Sequence, residues 1–153
     1  MEHQIIENIE KLYRSHTVDL IIYLALIAIT FLVVLGVIKF KLLDSKLKNT
    51  ALVVLTALAS VVLIAVQLVT IVPVYKDYAE QAYIVIEDAK VIIEDGTRSG
   101  LESTSRVIVR DGDREFELKM QTDYSLETRF DYTGKIAYLK NSNYLIWYDF
   151  NEN

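Results

Sequence analysis

Cysteine is absent from this chain, and histidine, tryptophan, proline and glycine are scarce, at two, one, one and five residues in 153. Without cysteine there is no disulfide, no thiol nucleophile and no cysteine-ligated metal. Both histidines, His3 and His16, fall near the N-terminus and away in sequence from any plausible nucleophile, so they are expected to be solvated or interfacial. The C-terminal half therefore lacks the commonest general base and metal ligand. There is no Walker loop, no G-x-S-x-G, no H-E-x-x-H and no glycine-rich nucleotide fingerprint. The most informative absence is of charge. Residues 20–38 contain no charged side chain, and neither do residues 49–75.

A helix rises about 1.5 Å per residue, and the hydrocarbon core of a bilayer is about 30 Å thick. The first run is long enough to span and the second is long enough to span with tilt. Helices buried in a soluble bundle normally carry charge on one face, and these carry none. The first run is read as a retained helix rather than a cleaved leader. Its N-terminal flank is partly acidic, lysines follow it directly, and no small-x-small site precedes Lys39. No lipidation motif is present, since the second residue is Glu2 and there is no cysteine to acylate.

The division expected from these patterns is an amphipathic N-terminal tail over 1–19, a first transmembrane helix over 20–40 and a Lys-rich connector over 41–49. A second transmembrane helix follows over 50–75, then a soluble β-rich domain over 76–153. The fold class is an α+β membrane protein, a two-helix transmembrane hairpin followed by a small antiparallel all-β domain in the form of a roll, sheet or barrel.

Charge is segregated along the chain. Residues 1–48 hold six Lys/Arg and five Asp/Glu, whereas residues 76–153 hold ten Lys/Arg and sixteen Asp/Glu, a net of −6. An acidic β domain lacks the basic footprint that nucleic acid or anionic headgroups require. Lys39, Lys41, Lys46 and Lys48 stand around the turn against a single Asp44. By the positive-inside rule they place the connector in the cytoplasm and both chain ends outside. The expected location is a cytoplasmic (inner) membrane, crossed twice, with an extracytoplasmic β domain.

Ile5, Ile6, Ile9, Leu12 and Tyr13 recur at helical spacing in the tail. They fit a surface helix on the membrane or a helix packed on the C-terminal domain. In the second span Thr56, Ser60, Leu63, Gln67 and Thr70 share one side. Thr56-x-x-x-Ser60 permits close helix approach, and Gln67 can hydrogen-bond across an interface for about 0.6–2 kcal/mol. The stripe is expected to pack on the first helix near Ala25, Ala28 and Gly36. Homo-oligomer or hetero-complex packing through the second helix is the alternative, and a pore lining a more distant one, because no intramembrane charge marks an ion path. Pro73 comes late in the run, where a kink or an exit from the helix costs little.

Residues 79–93 fit a helical face and a strand alike. Residues 96–105, rich in Gly, Ser and Thr, read as a loop or edge. Asp111-Gly112-Asp113 reads as a hairpin turn, followed by a strand in which Phe116, Leu118 and Met120 face inward. Leu126, Thr128, Phe130 and Tyr132 alternate in a further strand, Thr133-Gly134 reads as a turn, and Asn141-Ser142-Asn143 as another. Five or six short strands at hairpin spacing result. Along the last strand, residues 144–150, both faces are apolar. Tyr144, Ile146, Tyr148 and Phe150 lie on one, Leu145 and Trp147 on the other. A strand apolar on both faces is either covered on both sides or exposes one for binding, and Leu145 and Trp147 are the candidates for partner contact.

Asp111, Asp113, Glu115 and Glu117 lack the spacing of a calcium loop and read as a solvated hairpin paired with Arg106, Arg110 and Arg114. No cofactor, metal or catalytic residue is expected. The plan is similar to that of several membrane-anchored accessory proteins of bacteria, some with an OB-like domain after their membrane helices. The expected function is non-enzymatic: a two-pass anchor, in contact with membrane lipid, that presents a small β domain to a protein partner. Such a protein serves as an accessory subunit of an envelope complex or as an immunity or exclusion factor. The alternative is a small oligomeric channel or transporter subunit built on Thr56, Ser60, Gln67 and Thr70.

Overall fold

The computed structural model describes residues 1–39, 46–99, 102–121 and 131–150, with backbone alone at 46–47, 95–99 and 102–103. Two helices, α1 (Glu2–Lys39) and α2 (Lys46–Glu80), precede five strands. These are β1 (Tyr83–Ser99), β2 (Glu102–Asp111), β3 (Arg114–Gln121), β4 (Asp131–Leu139) and β5 (Leu145–Phe150). The chain forms two compact units: residues 1–13 with 73–153, and residues 14–72.

The second unit is the helical hairpin. Both helices are long and apolar enough to cross a membrane, and only 6% of each apolar window is buried. Leu32 is 68% exposed and Val69 76%, values foreign to the core helices of a soluble protein. Their few hydroxyls are satisfied within the helix. Thr30, Thr56, Ser60 and Thr70 donate to the carbonyls of Leu26, Leu52, Thr56 and Val66 at 2.8–3.2 Å. That pairing suits a polar side chain in hydrocarbon, where no water completes its bonds.

The first unit is a five-stranded antiparallel sheet in the order β3-β2-β1-β4-β5. Its outer strands approach one another. Lys119 bridges Tyr144 in parallel, and the Lys119 amide donates to the Asn143 carbonyl at 2.8 Å, so the sheet curls toward a barrel. The inner face gathers Ala89, Val91, Ile93, Val107, Val109, Leu118, Met120, Ile136 and Leu145 into one core. Tyr132, Tyr148 and Phe150 stack along its rim.

Several local readings change. Residues 97–99 and 102–104 are not a loop: Thr97 pairs Thr104 and Ser99 pairs Glu102, so Ser and Thr here extend the β1–β2 hairpin. The ambiguity over 79–93 resolves into helix to Glu80 and strand from Tyr83. The connector is shorter than 41–49, since α2 begins at Lys46 and carries Lys48. Thr133-Gly134 is not a turn but the interior of β4. Gly134 is needed there for close approach, because a Cβ would meet the Asp149 carbonyl and come 2.8 Å from the Phe150 Cα. The strand expected over Leu126, Thr128 and Phe130 lies outside the described residues. The turn at Asp111-Gly112-Asp113 stands: Asp111 pairs Arg114 across two residues, and Gly112 has φ of 59°.

A candidate functional site built on two helix ends

The opposite face of the sheet is covered by the head of α1 and the end of α2. Ile5, Ile9 and Leu12 fall at i, i+4 and i+7, a single stripe of α1, and all three are buried. They pack with Val74 of α2 and with Ala137, Leu139 and Tyr144 of the sheet, flanked by Tyr83, Val85, Ile146 and Trp147. Full burial of three such side chains stabilises by about 1.5–3 kcal/mol each. Of the two readings of the tail, packing on the C-terminal domain is the one realised. The tail is also continuous with the first long helix rather than a separate one.

Polar contacts fix the register of this packing. The Asn8 side-chain amide donates to the Ile146 carbonyl at 2.7 Å, and Trp147 Nε1 donates to Gln4 Oε1 at 3.1 Å. Tyr13 stacks on Tyr78 with ring centroids 4.5 Å apart and lies tilted against Tyr75 at 5.9 Å. Three tyrosines thus join the two helices beside the sheet. Tyr75 and Tyr78 keep exposed edges, as residues of an interfacial belt do.

Asp77 is the residue the sequence did not single out. It is fully buried, and its carboxylate accepts four hydrogen bonds from the β4–β5 turn. One oxygen takes the Asn141 amide and side-chain nitrogen at 2.9 and 2.7 Å, and the other takes the Ser142 amide and hydroxyl at 2.8 and 2.6 Å. An acidic side chain on α2 thereby ties the helix end to a turn 64 residues on. Nothing local in sequence marks it, since Asp77 reads as one more charge flanking an apolar run.

The end of α2 is closed by a Schellman pair. The Ala82 amide donates to the Asp77 carbonyl at 3.0 Å and the Gln81 amide to the Tyr78 carbonyl at 3.4 Å, with Gln81 at φ of 47°. Only Gln81 and Ala82 separate α2 from β1.

The residues singled out from sequence distribute as follows. Leu145 is buried in the inner core and Trp147 is half-buried under Gln4, so together they form no open patch. A bulge is the cause. Ala137 pairs Trp147 and the adjacent Tyr138 pairs Leu145, so Ile146 is the extra residue and the alternation flips there. Leu145 joins Tyr148 and Phe150 on the inner face, while Tyr144, Ile146 and Trp147 lie toward α1. Thr56 and Ser60 line a cavity between the hairpin helices, and Gln67 and Thr70 do not. Lys39 and Lys48 are exposed at the hairpin's turn, Lys46 is described by backbone alone, and Lys41 lies outside the described residues. His3 is exposed and His16 is buried.

The outward surface of the β2–β3 hairpin carries ion pairs in both signs. Arg106 pairs with Glu94 at 3.1 Å and with Glu117, and Arg110 pairs with Glu115 at 2.7 Å. The hydrogen bond and charge of Arg106 hold the Glu117 carboxyl below its ordinary value, and Lys11 does the same for Glu7 on α1. These groups are solvated, and such pairs order a surface more than they stabilise a fold. No protein-family model, curated protein or solved structure matches the chain.

Proposed function

We propose that the protein is a two-pass membrane anchor that presents its β domain, on the extracytoplasmic side of a cytoplasmic membrane, for contact with another protein. The observation that carries this reading is the mount. The sheet is completed by residues 1–13 and 73–80 of the two long helices, with a two-residue link from α2 to β1. A domain that works away from the membrane is served by a flexible tether. One that shares its core with the helix ends works at the membrane surface. The five-stranded, partly closed sheet is similar in plan to OB-type barrels, many of which bind oligonucleotides. The net charge of −6 over residues 76–153 favours a protein partner instead. The ordered charged face of β2–β3 is the surface assigned to that partner, in place of Leu145 and Trp147. The role is that of an accessory subunit of an envelope complex or of an immunity or exclusion factor.

Single cysteines test the placement cleanly, because the chain has none of its own. Asp113, exposed in the β2–β3 turn, reports the sheet, and Ser45 reports the connector without removing a lysine. Ser142 is unsuitable because its hydroxyl is bound by Asp77. In intact cells a membrane-impermeant thiol reagent is expected to label Asp113→Cys and spare Ser45→Cys. The opposite pattern overturns the proposed side. A photo-crosslinker at Glu117 is expected to yield a discrete protein adduct in those cells, and one at buried Leu118 none.

A further inference from the structure

Between the two helices of the hairpin lies a cavity of about 390 Å³. Its α1 wall is Tyr23, Leu26, Ile27 and Thr30, and Thr56, Ala59 and Ser60 form the opposite side between Leu55 and Leu63. Thr56 and Ser60, read from the sequence as facing α1, line this space. Its volume falls in the range of small-molecule sites. Leu26, Leu55 and Leu63 are 53, 64 and 43% exposed, so the cavity opens outward between apolar rims.

Three properties select the occupant. Among the described residues, none that lines the cavity is charged. Its three aliphatic hydroxyls already donate to carbonyls of their own helices, so none of the three has a proton left for a polar ligand. Its depth lies within the apolar run of both helices. Tyr23 and Thr30 lie four and eleven residues past Asp19, the last charge before the first run, or about 6 and 16 Å along the helix. Leu55 and Leu63 lie seven and fifteen residues past Lys48, or about 10 and 22 Å, so both walls fall inside a core about 30 Å thick. An empty space there forfeits dispersion contacts on every wall, and water finds too few partners to fill it.

We propose that this cavity is a binding site for one acyl chain of a membrane lipid. The proposal rests on the membrane-spanning reading of the hairpin. The chain lies along the helices, with its methylenes against Leu26, Ile27, Leu55 and Leu63 and its course limited by Tyr23 at the interfacial end. The small side chains of Ala59 and Ser60 are what make room for it.

The test is photolabelling of the full-length protein in nanodiscs of phosphatidylcholine and phosphatidylglycerol, with a phospholipid that carries a diazirine in its acyl tail. Adducts are mapped by mass spectrometry at the lining positions and at the outward-facing Val62 and Val69. Lining adducts are expected to exceed outward ones in the native chain. They are expected to fall to the outward level in Ala59→Leu, which fills the cavity, and to rise in Leu63→Ala, which widens it. Both substitutions suit a membrane helix, and the outward adducts report that each variant is still inserted. Lining adducts no stronger than outward ones, or unmoved by either substitution, overturn the proposal while leaving the spanning reading intact. Absence of adducts at Val62 and Val69 overturns the spanning reading and the proposal with it. A disulfide dimer formed by Ser60→Cys, with lining adducts lost, assigns the space to a second copy and overturns the lipid proposal.

Discussion

At the scale of single residues, the sheet depends on two residues whose roles are long-range. Asp77 meets two backbone amides, one side-chain amide and one hydroxyl of the β4–β5 turn. Its replacement by alanine leaves those donors without their acceptor, and a buried donor without a partner costs about 1–3 kcal/mol. Asp77→Ala is therefore expected to destabilise by about 3 kcal/mol or more, against about 1 kcal/mol for Ser142→Ala, which removes one bond. Chemical unfolding in mild detergent measures both. Equal, small effects from the two substitutions would contradict the assigned role. Gly134 is the second such residue. A methyl there meets the backbone of β5, which cannot rotate away, so Gly134→Ala is expected to cost about 3 kcal/mol in the same assay. Neither residue was legible. Asp77 has the sequence surroundings of a topogenic flank, and Gly134 those of a turn. The face of Leu145 was hidden too. Every residue from 144 to 148 is apolar, so alternation cannot reveal the bulge at Ile146 that turns Leu145 inward.

At the scale of elements, the two apolar runs were legible because neither holds a charge, and α1 and α2 contain them. Strand β3 was legible through strict alternation, and its burial follows Phe116, Leu118 and Met120. The helix ends were not, because Schellman closure and packing between segments distant in sequence carry no strong composition signal when the cap is not glycine. Gln81 occupies the left-handed region, which costs an L-residue about 1–2 kcal/mol relative to glycine. Gln81→Gly is expected to stabilise the protein by about 1 kcal/mol, offset in part by the greater freedom of glycine in the unfolded chain. Unchanged or lower stability would mean that the Gln81 side chain makes a compensating contact. The β2–β3 hairpin makes a pH-dependent prediction. Arg106 depresses the folded Glu117 carboxyl below its ordinary 4.5, so the contribution of the pair is fully present above that pH. It is lost as pH falls through the lower, folded value. Glu117→Gln is expected to flatten the acid limb of the stability profile below pH 4.5 and to leave neutral pH nearly unchanged. An equal acid limb in both proteins would contradict the pairing.

At the scale of the whole molecule, the two units divide the chain in an order the sequence does not suggest. Residues 1–13 belong with the sheet that begins seventy residues later, and residues 14–72 stand between them. The stripe Ile5, Ile9 and Leu12 was visible, but a bilayer surface and a sheet face are equally apolar covers for it. Which one it meets is settled only by the presence of Ala137, Leu139 and Tyr144 on an outward sheet face. The consequence is topological: under the proposed two-pass reading, the N-terminus and the β domain share one side of the membrane, whichever side that is. The most direct test is amide hydrogen exchange of the full-length protein in nanodiscs, comparing the native chain with Ile9→Asp. The substitution sets a charge into the contact between the head of α1 and the sheet. The account predicts loss of protection in β4 and β5 and at the Asp77 turn, along with residues 1–13. Protection lost from residues 1–13 alone, with β4 and β5 as slow to exchange as in the native chain, would contradict it.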